Sequence, residues 1–88
     1  MHPEKERQGI RIKCLRIIFT GIDNIVKTKG CVDVSLISKR RYETIKPYRE
    51  TLITEDQDQI KKSIEEYISV NYPPKRYQRK WMKKNVLK

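Results

Sequence analysis

The chain has 88 residues, of which 36% are hydrophobic and 36% charged, with a formal net charge of +10. A chain this short makes one domain and buries only about 60 to 65% of the surface its unfolded form exposes, so its core is thin. Frequent, clustered Ile, Val, Leu, Phe and Tyr exclude disorder for the middle of the chain, and the basic excess selects anionic partners.

The N-terminal stretch MHPEKERQG lacks the apolar core of a signal peptide, and no run approaches eighteen apolar residues. A soluble, unprocessed, cytoplasmic protein is expected, with residues 1–9 frayed. Cys14 and Cys31 lie in apolar stretches without a secretory signal, which suits two reduced intracellular thiols.

Residues 10–30, IRIKCLRIIFTGIDNIVKTKG, carry two signals. Isoleucine content favours a strand over residues 10–19 turning at Thr20-Gly21, while the spacing favours a helix. At 100° per residue, Ile12, Leu15, Ile18, Phe19, Ile22, Ile25 and Val26 fall on one side, and Lys13, Arg16, Thr20, Asp23, Asn24 and Lys27 on the other. Lys27 and Lys29 suit a helix C-terminus and Gly30 a left-handed cap, so helix is the preferred reading.

Residues 31–38, CVDVSLIS, alternate Val32, Val34 and Leu36 with Asp33 and Ser35, which predicts a strand. Pro47 then bars a central strand or an unbroken helix. A hairpin is expected, returning through Tyr42 to Ile45 or Glu50 to Ile53, with an irregular loop as the alternative. Tyr42 is expected as a half-buried strand tyrosine.

A helix over 55–70 is well marked. Thr54 and Gln57 have capping-box spacing, Glu55, Asp56 and Asp58 suit the positive end of the dipole, and Ile60, Ile64, Tyr67 and Ile68 share a face. Pro73 and Pro74 stop it. The expected architecture is therefore α+β: a body over 1–72 made of the N-terminal helix, a short hairpin and the capped helix, followed by a basic C-terminal arm or short helix over 73–88.

The charge is unevenly placed. Residues 73–88 hold seven cations and no acid, against 14 cations and 11 acids in the first 72 residues. Lys39, Arg40 and Arg41 form a second basic run. Lys and Arg neutralise phosphates and aromatic faces stack on bases, so Lys39, Arg40, Arg41, Lys75, Arg76, Tyr77, Arg79, Lys80, Trp81, Lys83 and Lys84 are the candidate binding residues.

Catalytic and metal chemistry find little support. His2 is the only histidine, Cys14 and Cys31 stand far apart in sequence, and Gly9, Gly21 and Gly30 form no phosphate loop, so no metal, cofactor or enzymatic activity is expected. The leading expectation is a small nucleic-acid-binding module that contacts DNA or RNA backbone through the arm. The alternative is a phage- or mobile-element-type accessory or inhibitor protein that docks on a larger nucleic-acid-processing enzyme through the same Trp, Tyr, Arg and Lys residues. Membrane binding ranks last because the arm lacks a broad apolar face, and homodimerisation would give a broad apolar arc further cover.

Overall fold

The computed structural model describes residues 3–73, and they form three α-helices and a short 3₁₀ turn. Helix α1 spans Glu4–Lys29, α2 spans Val34–Ile45, a 3₁₀ turn covers Lys46–Tyr48, and α3 spans Thr54–Asn71. Among the described residues there is no strand, so the fold is all-α and the expected α+β class is overturned.

Helix α1 begins at residues expected to fray. Pro3 supplies an extended N-cap, its carbonyl accepts the Arg7 N–H at 3.1 Å, and Glu4 and Glu6 sit in the dipole's positive first turn. Arg7 is half-buried rather than solvated. The stripe that enters the core is Cys14, Ile18, Gly21 and Ile22, one helical face, while Ile12 is 52% exposed and lies off it. Gly30 stops the helix at φ 77, where its N–H donates to the Val26 carbonyl at 2.7 Å. That left-handed conformation carries little penalty only for glycine.

The segment expected as a strand is instead a loop and the start of α2. Asp33 adopts extended geometry and its carboxylate accepts the N–H groups of Ser35 at 3.1 Å and Leu36 at 3.2 Å, which nucleates a helix. Ile37 and Ile45 are buried and Arg41 is half-buried while Lys39 and Glu43 are exposed, a pattern that fits a helical face and not a strand, which would put all five on one side. Two-residue alternation over Val32 to Leu36 is overridden because the cap and the 37/41/45 face agree on the longer period. The hairpin disappears with the strand. Pro47 lies in the 3₁₀ turn, where its missing N–H is harmless, and Thr51 and Leu52 both donate to the Tyr48 carbonyl to bring the chain to α3.

Helix α3 begins one residue earlier than its sequence cap suggests. The N-cap is Ile53, whose N–H is accepted by Asp56 Oδ2 at 3.0 Å, so Asp56 does the work expected of Gln57.

Both shorter helices pack along α1 and make far fewer contacts with each other. Helix α2 runs back along α1: the Arg40 stem lies over Gly21, and Lys13 Nζ stands 5.9 Å from the Tyr48 ring centre. Helix α3 runs forward. Its first turn meets the start of α1 where Arg7 Nε lies 3.2 Å from Asp56 Oδ2 and Arg11 donates to Asp56 Oδ1. Its last turns meet the second half of α1, where Tyr67 stacks on Phe19 with ring centres 4.1 Å apart and planes at 7°.

The core consists of Cys14, Ile18, Ile22, Ile37, Ile45, Leu52, Ile60 and Ile64. Each fully buried isoleucine contributes about 1.5 to 3 kcal/mol, which makes this small set the main stabilising term. Asp56 is the buried charged residue among them, and its two guanidinium partners and the Ile53 N–H occupy its oxygens. Glu4 contacts both arginines from the solvent side.

Candidate anion-binding cleft

Tyr42 and Lys46, and Ile45 and Arg49, are four residues apart and the two pairs are offset by three, so as α2 passes into the 3₁₀ turn they come to one side of the chain. Facing them are Gln57, Asp58 and Lys61 from the first two turns of α3. With Arg41 these residues enclose an open cleft of about 530 Å³. Its walls carry Arg41, Lys46, Arg49 and Lys61 against Asp58 as the single acid, and Tyr42 stands beside them with 57% of its surface exposed.

The chemistry of such walls is that of an anion receptor. Arg41 and Arg49 offer planar forks that match two oxygens of a phosphate, Lys46 and Lys61 add point charges, and Gln57 an amide donor. The exposed Tyr42 ring supplies a face on which a base can stack. Partial burial of Arg41 lowers the local dielectric and strengthens its pull on an anion.

The three cations of the Lys39–Arg41 run separate once they are helical. Arg41 lines the cleft, Arg40 lies along Gly21 of α1, and Lys39 projects exposed from α2. They sit mid-helix, not at the turn after a strand, and Tyr42 is an exposed helical residue, not a half-buried strand tyrosine. The remaining candidates, Lys75, Arg76, Tyr77, Arg79, Lys80, Trp81, Lys83 and Lys84, lie outside the described residues.

Lys46, Arg49, Gln57 and Lys61 escaped the sequence reading. Their signal is the helical spacing of Tyr42, Ile45, Lys46 and Arg49, which a strand assignment conceals by sending neighbours to opposite faces.

Two further features fix the frame. Asp23 on α1 accepts the Tyr67 hydroxyl through both oxygens at 2.9 and 3.0 Å and the Tyr72 hydroxyl at 2.5 Å. Partial burial pushes the Tyr67 phenol above its ordinary pKa, and Asp23 adds to this as hydrogen-bond acceptor and negative neighbour. Cys14 is buried and its thiol is raised by desolvation, which the nearby Lys13 partly opposes. Among the described residues no three His, Cys, Asp or Glu side chains converge as metal ligands, and no helix is long and apolar enough to cross a membrane.

No protein-family model, no curated protein and no solved structure matches this chain.

Proposed function

We propose that the protein binds the phosphate backbone of DNA or RNA, with the α2–α3 cleft and the basic residues beyond Pro73 acting together. The observation that supports this reading is the cleft itself: four cations, an exposed tyrosine and one acid in a concave surface. The seven acid-free cations of residues 73–88 follow directly from the helix that forms one wall.

The binding is electrostatic and tolerant of sequence, because cations and a stacking face read charge and ring area rather than base edges. Each phosphate contact steepens the log–log dependence of affinity on salt by about 0.9 for duplex DNA, so the four cleft cations together contribute a slope of about −3.6. A fluorescence-anisotropy titration with labelled duplex and single-stranded oligonucleotides, begun at about 50 mM salt, tests this. Salt-weakened binding supports the reading. No binding to either form, or binding indifferent to salt, removes it. The accessory-protein alternative predicts a stoichiometric protein partner retained after nuclease treatment of an extract, with oligonucleotide binding absent.

A further inference from the structure

Helices α2 and α3 pack on α1 more than on each other, which leaves an open apolar groove of about 330 Å³ between them. Ile37 and Ile64 form its floor, Ile68 one side, and Val34, 69% exposed, the other. Arg41 and Lys61 line this groove and the cationic cleft alike, and Lys46 and Arg49 line both the cleft and a hollow of about 650 Å³ over the 3₁₀ turn. The three concavities follow one another along the α2 side in chain order, the apolar one first and the cationic ones after, with cations at each junction.

We propose that this track takes a single, unpaired nucleic-acid strand in preference to a duplex, with phosphates on the cleft cations, one base stacked on Tyr42 and a neighbouring base in the apolar groove. The inference rests on the phosphate-binding reading of the cleft and narrows its ligand.

The first argument is what each form of nucleic acid exposes. In a duplex the ring faces are covered by stacked neighbours, so its outside offers phosphates, sugars and groove edges. The cleft cations serve that surface, but the exposed Tyr42 ring and the apolar groove find nothing there to cover. An unpaired strand presents ring faces beside each phosphate, and those are what aromatic and apolar walls bind.

The second argument is the junction. A phosphate held by Arg41 and Lys61 joins two nucleosides, one on the cleft side, where Tyr42 adjoins Arg41, and one on the groove side, above Ile37 and Ile64. Glu65 lines the groove and repels a phosphate from it, while Glu65 and Ser38 offer a carboxylate and a hydroxyl to a base edge. A second copy of this chain, itself carrying a net charge of +10, is a poorer occupant of a groove with Arg41 and Lys61 at one mouth.

Charge alone favours the duplex, whose phosphates are the more densely spaced, so a preference for the single strand reports the uncharged contacts. Anisotropy titrations of the full chain with a labelled strand, alone and annealed to its complement at equal salt, are expected to show tighter binding to the strand alone. Tyr42→Ala is expected to lower single-strand affinity about 5-fold or more, and Tyr42→Phe, which keeps the ring, to retain it. Val34→Ser is expected to lower it several-fold with the salt slope unchanged. Both positions are exposed, so circular dichroism should show native helicity in all three variants. Duplex binding as tight as single-strand binding overturns this inference and leaves the phosphate reading standing, whereas no binding to either form overturns both. A single-strand preference that survives Tyr42→Ala and Val34→Ser alike also overturns it. So does a dimer in size-exclusion chromatography that Val34→Ser dissociates with single-strand affinity unchanged, which gives the groove to a second copy.

Discussion

Arg11 and Asp56, 45 residues apart in the chain, meet as donor and acceptor where the starts of α1 and α3 converge. The carboxylate is 1% exposed and holds three positions at once: the Arg7 and Arg11 guanidinium groups on α1 and the Ile53 N–H at the cap of its own helix. A buried ion pair adds little net stability relative to an apolar pair, yet removing one partner strands the other and costs about 3 to 5 kcal/mol.

Asp56→Ala is therefore expected to destabilise the domain by about that amount, a large share of the roughly 5 to 15 kcal/mol that holds a small domain folded. Urea denaturation followed by circular dichroism measures it. Asp56→Asn keeps the cap acceptor and loses the charge, so its cost should fall between those of the native chain and Asp56→Ala.

Neutralising the cleft separates it from the arm. Arg41→Gln with Arg49→Gln is expected to flatten the salt dependence of oligonucleotide binding by about 1.8 in log–log slope, at about 0.9 per lost contact, while the melting profile is nearly unchanged. Equal slopes for variant and native chain would show that the cleft cations touch no phosphate.

Helix α3 and the helix stop at Gly30 were readable because each carries several agreeing local signals: acids at the start, an isoleucine face, cations or prolines at the end. Helix α2 was not, since Val32, Val34 and Leu36 alternate as a strand does, and the positions that decide the matter, Ile37 and Ile45, flank the charged Lys39–Arg41 run and are marked out only by their burial. The cleft shared that fate. Arg41 was visible as charge, but Arg49 and Lys61 are twelve residues apart and line one cleft only because the chain turns over residues 49–52 before α3.

Tyr67 gives the fold a base-side limit. Its pKa lies above the ordinary tyrosine value near 10, so below that pH both folded and unfolded chains keep the proton and the contribution of Asp23 and burial is intact. Above it the unfolded chain ionises first and binds fewer protons, so stability falls as pH rises through the folded value. Urea melts between about pH 9 and 11 should show this decline, and Tyr67→Phe should remove its share. Asp23→Asn should lower the phenol's titration midpoint in an absorbance titration.

Gly21 and Arg40 form a second coupled pair. A Cβ built on Gly21 would lie 2.9 Å from Arg40 Nε and 3.1 Å from its Cγ, so the Arg40 stem fills the space a side chain would take. Ala favours a helix interior over Gly by about 0.8 to 1 kcal/mol. Gly21→Ala is expected to yield less than this in the native chain and the full amount when combined with Arg40→Ala. A double-mutant cycle by thermal or urea unfolding measures the difference.

The dependence of α2 and α3 on a common support, with little between them, also sets how the molecule opens. Helix α3 is fastened to α1 at both ends, through Asp56 at one and through Tyr67 and Tyr72 at the other, whereas α2 relies on Ile37, Ile45 and the Arg40 stem. Amide protons of α2 should exchange with solvent through a local excursion that leaves the other two helices paired, a partial opening cheaper than global unfolding. On the proposed reading of the cleft, α2, which carries Arg41 and Tyr42, is the wall that such a local opening would move.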